Sequence, residues 1–243
     1  MMCNMDLTDP TRAITPTLDG TVLAVLSSAG RPMTVGEVAA QTVRGSEIGV
    51  RRSLGRLVEQ GIVRATEIGR SRVHELNREH VAAPIADMLS RLRLELWQRL
   101  REKISSWKPR PVYACAFGSA ARGDGGPDSD IDVLLVHPPF PGEKRPARSS
   151  TLRDFVGNIA LDFALPVTTE ADLAKWNKQV DGLHSLVQGW TGNSLQVIDV
   201  SAFEWTRRVR SPEQLWSEID RDAVVLVEPS ALTSVAQKSH GGS

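Results

Sequence analysis

Val112-Tyr-Ala-Cys-Ala-Phe-Gly-Ser119 is an apolar run that ends on a glycine and a hydroxyl, and Ser129-Asp-Ile-Asp-Val-Leu-Leu-Val136 is a second apolar run that opens on two acids. Between them lies Ala120-Ala-Arg-Gly-Asp-Gly-Gly-Pro-Asp128, rich in residues that turn the chain. Pro109 and Pro111 end whatever precedes, so Val112 to Phe117 reads as one strand and Asp130 to Val136 as another. Side chains alternate across a strand, which puts Asp130 and Asp132 on one face and Ile131, Val133 and Leu135 on the other. Two carboxylates so close repel unless a cation sits between them. Oxygen ligands of this kind suit Mg²⁺ or Mn²⁺. Gly118 lets backbone approach a triphosphate closely. Ser119 adds a hydroxyl and an N–H donor, and a helix starting there adds its N-terminal field. Arg122 lies within reach of the same phosphates.

Gly118-Ser119, ten residues, then Asp130-Ile131-Asp132 resembles the pattern of the polymerase-β superfamily of nucleotidyltransferases, the minimal nucleotidyltransferase group in particular. Ser129 before the first acid and Ala121-Arg122-Gly123 also fit. The resemblance implies an α/β fold (an α+β nucleotidyltransferase fold, a mixed sheet with helices) over residues 109–230. It implies nucleotide binding by Gly118, Ser119, Arg122 and Ser129, and Mg²⁺ or Mn²⁺ on Asp130 and Asp132. Such proteins use a third carboxylate from a later strand. Asp199, in Leu195-Gln-Val-Ile-Asp-Val200, is the best candidate, as a metal ligand or catalytic group. The other reading of Asp199 is an acid at a strand end that helps cap a helix near Ser201. Asp162 and Asp181 are weaker rivals. The implied reaction moves a nucleoside monophosphate from an NTP such as ATP to a hydroxyl-type acceptor on a protein, an RNA or a small molecule, releasing pyrophosphate.

Upstream, residues 18–80 read as a separate helix-rich unit, and residues 1–17 as irregular. Leu18 to Leu26 has apolar spacing suited to a short helix. Thr34 and Glu37 form a capping-box signature ahead of a second helix. Ser46 can cap a third helix through Val50, Leu54, Leu57 and Val58, with Gly61 placed to end it. Ile62–Thr66 and Arg72–Leu76 flank Gly69 as a hairpin. This order resembles the winged helix-turn-helix domains of bacterial transcription regulators. The resemblance implies DNA binding, with Arg51, Arg52 and Arg56 on the recognition helix and Arg70 and Arg72 on the wing. The competing reading is a solvated charged face, since Glu47, Glu59, Glu67 and Glu75 dilute the positive field.

A stretch from 81 to 108 joins the two. Its apolar residues at 85, 89, 92, 96, 100 and 104 predict a long helix with one seam, packed on a neighbouring domain or, on the sharper reading, on a second copy in a homodimer. Lys and Arg total 29 and Asp and Glu also 29, so net charge points to no partner. An apolar fraction of 41% suffices for ordinary cores. No run reaches the roughly 20 residues of a membrane span, and no signal peptide is evident. The two cysteines, Cys3 and Cys115, suggest no disulfide scaffold, so the reading is a cytoplasmic protein. His137 reads as a surface residue, and a helix from Ser211-Pro212 and a strand over 223–228 complete the domain. Two functions follow: a metal-dependent nucleotidyltransferase coupled to a DNA-binding domain, or a DNA-binding regulator or antitoxin-like protein whose nucleotide site turns over little.

Overall fold

Thr34 caps its helix as its sequence context predicts: its Oγ1 accepts the Glu37 N–H at 3.3 Å, and Glu37 Oε2 accepts the Thr34 N–H at 2.7 Å. This detail comes from a computed structural model, which describes residues 4–144, 167–208, 219 and 221–229. The chain divides into two compact units, Met5–Leu96 and Trp97–Ser243.

In the first unit, helix α1 (Leu18–Ala29) stops at Gly30, whose φ of 60° supplies the left-handed cap. Strand β1 (Met33–Thr34) leads into α2 (Val35–Gln41), and Ser46 caps α3 (Glu47–Glu59) by accepting the Gly49 N–H. Strands β2 (Val63–Ile68) and β3 (Ser71–Leu76) form an antiparallel hairpin, and β1 pairs with the other edge of β3. Val22, Leu26, Met33, Val38, Val50 and Leu54 fill the core. Each such side chain contributes about 1.5–3 kcal/mol by leaving water.

Residues 1–17 were expected to be irregular, and here the structure corrects the sequence reading. Pro10–Ala13 is a 3-10 turn, and Asp6 to Thr11 are all buried. Asp9 holds this arm down, accepting hydrogen bonds from Thr11 Oγ1 at 2.6 Å and from Thr21 Oγ1 of α1 at 2.5 Å. A pin made of short polar side chains leaves no periodicity to read.

His74, in the middle strand of that sheet, is 5% exposed, and its Nδ1 has no hydrogen-bond partner among the described residues. Desolvation holds its pKa below 6.5. The neutral ring is therefore the folded form, and stability falls as pH drops below about 6.5, where the unfolded chain takes up the proton. Denaturant melts at pH 8 and pH 5 should show a larger acid-side loss in wild type than in His74→Leu; equal losses would remove His74 as the cause.

The segment expected as a linker is a helix shared by both units. Helix α4 (Ala83–Ser105) crosses the boundary between Leu96 and Trp97. Ala83, Ala86 and Leu89 enter the core of the first unit, and Leu96, Leu100 and Ile104 are buried further along. Most of the seam is thus covered within the chain, while Ile85 stays exposed.

The second unit holds a four-stranded sheet in the order β6-β5-β4-β7. Strand β4 (Tyr113–Phe117) runs through a short helix α5 (Gly118–Arg122) and a loop into antiparallel β5 (Ile131–His137). Helix α6 (Glu170–Thr191) precedes β6 (Leu195–Ser201), which lies parallel to β5. Helix α7 (Ala202–Arg208) follows, and β7 (Val224–Val227) pairs antiparallel with β4. On one face Cys115, Phe117, Leu134, Val136 and Val200 pack with Ala202, Trp205 and Ile219. The other face carries His137, which meets Trp176 of α6 edge-on. Most of the expected helix after Ser211, and Asp162, lie outside the described residues. Among the described residues, no helix is long and apolar enough to cross a membrane.

Candidate nucleotide and metal site

The β4–α5 turn works only because residue 118 is glycine. Gly118 has φ of 72°, in the left-handed region, and a Cβ there would stand 2.4 Å from Asp132 Oδ2. Phe117 pairs with Asp132 in the ladder, so the turn begins directly beside the acid. Gly123, at φ 83°, closes α5, and the loop then folds back. The N–H groups of Gly123, Asp124 and Gly125 all donate to the Ser119 carbonyl, at 2.9, 3.0 and 3.1 Å. A Cβ on Gly125 would come within 3.0 Å of Ser119 Oγ, so the loop lies close over that hydroxyl. The Gly118–Ser119 turn and Asp132 thus meet in one place.

A buried asparagine fixes the far end of the loop. Asn193 Nδ2 donates to the carbonyls of Pro127 at 3.2 Å and Ser129 at 3.1 Å, and the side chain is fully buried. Ser129 itself donates its N–H to Gly126 and closes a turn before Asp130. In the sequence, a lone amide just after Gly192 is the only signal of this role.

Burial raises the Asp132 carboxyl above its ordinary value, the neighbouring Asp130 charge raises it further, and Arg122 opposes both. Arg122 is already engaged. Its Nε donates to Asp124 at 3.1 Å and its Nη1 to Asp222 at 2.9 Å. Arg221 also grips Asp222, and the two arginines hold that carboxyl down at about 2.

Asp199 does not join the other acids. The parallel register sets Asp199 opposite Leu135, whereas Asp132 stands opposite Gln196. Paired residues share a face and neighbours alternate, so Asp199 points to the reverse side of the sheet. There its Oδ2 accepts the Trp176 indole N–H at 2.8 Å. Desolvation raises its carboxyl; Trp176 and His137 pull it down, and Glu143 pushes it up. Asp199 thus misses the face of Asp130 and Asp132 by one residue of register. Nor does Asp199 cap the next helix, since the Glu204 N–H goes to Ser201 Oγ at 3.1 Å. Asp181 is exposed on α6. His137 is only partly exposed and stacks on Phe140, so it is not the surface residue expected.

Among the described residues, no group of three or more His, Cys, Asp or Glu side chains is gathered to hold a metal. Asp130 and Asp132 still fit one hard cation. Mg²⁺ is commonly bound by one or two carboxylates, with substrate phosphates and waters completing the shell.

Residues 95–185 match the family model of the nucleotidyltransferase domain. Over that segment the chain is similar to nucleotidyltransferase domains. The matched segment contains Gly118, Ser119, Arg122, Ser129, Asp130 and Asp132, and it ends before Asn193, Gln196 and Asp199. It begins two residues from the boundary between the compact units. No curated protein and no solved structure matches the chain. The mixed α/β architecture of the second unit fits a nucleotidyltransferase fold, with the acids at the head of β5.

Proposed function

We propose that the nucleotidyltransferase domain moves an NMP from an NTP to a hydroxyl-type acceptor, releasing pyrophosphate. The observation that carries this reading is the contact between Gly118 and Asp132: a Cβ-free turn presses against an acid that its neighbour's charge disfavours. Backbone at Gly118 and Ser119 would hold phosphate oxygens, with Arg122 and the Ser129 turn beside them. Asp130 and Asp132 would hold Mg²⁺ or Mn²⁺. Such an ion neutralises phosphate charge and the leaving pyrophosphate. A protein side chain, an RNA end and a small molecule all remain within the acceptor class.

The first unit is proposed as a winged helix-turn-helix that binds DNA. The element order α1, β1, α2, α3, β2, β3, with β1 on β3, supports that reading. Its arginines are not equivalent. Arg51 pairs with Glu47 at 2.9 Å, and Arg56 pairs with Asp19 of α1 at 2.7 Å, so Arg56 braces α3 against α1. Arg52, Arg70 and Arg72 are exposed and have no ion pair among the described residues, which makes them the better phosphate contacts.

A second reading is a DNA-binding regulator or antitoxin-like protein that binds nucleotide with little turnover. The position of Asp199 on the far face favours it, because among the described residues no third acid is then gathered with Asp130 and Asp132. Incubation with labelled NTPs, Mg²⁺ or Mn²⁺ and cell extract separates the two. Label transfer that disappears in the Asp130→Ala, Asp132→Ala double variant supports the enzyme. Equal labelling by the double variant rejects the site, and NTP binding without any labelling favours the regulator.

A further inference from the structure

The peptide groups on either side of Asp130 are both held by one short segment. On one side Asn193 Nδ2 donates to the Ser129 carbonyl at 3.1 Å; on the other, the Ser194 carbonyl accepts the Ile131 N–H at 2.9 Å. The same Nδ2 reaches the Pro127 carbonyl at 3.2 Å. Asn193 is anchored in its turn. Its own N–H donates to Thr191 Oγ1 at 3.1 Å, and Thr191 Oγ1 donates to the Val187 carbonyl of α6 at 2.9 Å. A chain of hydrogen bonds thus runs from α6 to the backbone of Asp130. Asn193 is fully buried, so its bonds are made away from water and are electrostatically stronger for it.

We infer that Asn193 is a positioning residue of the nucleotide–metal site: its amide fixes the backbone on which Asp130 stands, and so sets how well Asp130 and Asp132 hold a divalent cation together. The inference rests on the proposed reading of Gly118, Ser119, Asp130 and Asp132. Asp132 is aimed by the sheet, since it pairs with Phe117 on one side and Gln196 on the other. Asp130 stands one residue before the first pair of the β5–β6 ladder, Ile131 with Leu195. The chain reaches it from Gly125-Gly126-Pro127, which lends no regular structure. Its aim therefore comes from the peptides beside it. An amide nitrogen carries two hydrogens, enough for two carbonyls; a hydroxyl carries one and an ionised carboxyl none. Partners that hold a metal ligand in place are worth about 10- to 100-fold in ion affinity or activity.

Calorimetric titration of the full chain with the Mn²⁺ complex of a non-hydrolysable NTP tests this, at a temperature where each variant used is folded. Asn193→Ala should bind that complex about 10- to 100-fold more weakly than wild type. Without metal, its Ile131 amide should exchange with deuterium faster. Asn193→Ser keeps one donor; it should fall between the two, and it carries the test if Asn193→Ala does not fold. Val187→Ala is the control, because it removes buried volume from α6 and no side-chain hydrogen bond. It should melt lower than wild type yet bind the complex equally well. Wild-type affinity in the Asn193 variants would overturn the inference and leave the site reading standing. So would a loss in Val187→Ala as large as that in Asn193→Ala, which would trace the effect to stability alone. If the Asp130→Ala, Asp132→Ala variant binds the complex as tightly as wild type, the site reading itself fails.

Discussion

Gly118→Ala should abolish function at the nucleotide site and lower stability together. The added methyl group would sit 2.4 Å from Asp132 Oδ2, and φ of 72° is a conformation that alanine adopts poorly. The left-handed backbone alone costs about 1–2 kcal/mol for an L-residue. The clash forces Asp132 to rotate or the turn to open, and either movement separates the acid from the loop. Displacements of this size lower catalytic rates by about 100-fold or more. Thermal melts, NTP titration and label transfer read the three effects. Gly55→Ala is the control, because that position in α3 has nothing within 4 Å of a new Cβ. It should leave the nucleotide site untouched and gain up to about 1 kcal/mol of helix propensity. Wild-type NTP affinity in Gly118→Ala would remove the turn from the site.

Asp132→Asn should separate stability from function. The Asp132 carboxyl is raised above 3.8 by burial and by Asp130. A raised carboxyl means that folding disfavours its ionised form. The penalty is absent below the unfolded value, grows as pH rises through the folded one, and is complete above it. The amide carries no such penalty. The metal-free variant should therefore melt higher than wild type at pH 7 and lose that advantage near pH 3. Mg²⁺ with NTP should raise the wild-type melting temperature and leave the variant unmoved, because only a ligand that binds the folded state stabilises it. Transfer should fall by about 100- to 1000-fold, the usual loss when one group opposing transition-state charge is removed. A variant that melts below wild type at pH 7 would refute this account of Asp132.

The site was legible where chemistry and spacing coincide. Gly118 and Ser119 follow directly on β4, Asp130 and Asp132 stand at the head of β5, a short loop joins them, and strand alternation alone puts both acids on one face. Asp199 was misjudged because nothing local fixes the register of β6 against β5. The pairing is parallel, is made across α6, and changes face with a single-residue shift. The capping box at Thr34 and the hairpin at Gly69 were legible because each is built from residues a few positions apart. The Asp9 pin to Thr21 and the Arg122 link to Asp222 were not, since each depends on a partner brought in by folding.

The sheet has a practical consequence for anyone who isolates this domain. The family match stops at residue 185, inside α6, yet β5 takes its outer neighbour from Leu195–Ser201 and β4 takes its own from Val224–Val227. A fragment cut at the matched boundaries would keep the two central strands and strip the partner from each. Both flanks would then offer unpaired peptide groups on an apolar hairpin, the usual template for self-association. Such a fragment would also lack Asn193 and Asp222, so an inactive or insoluble product would report on where the chain was cut rather than on its chemistry.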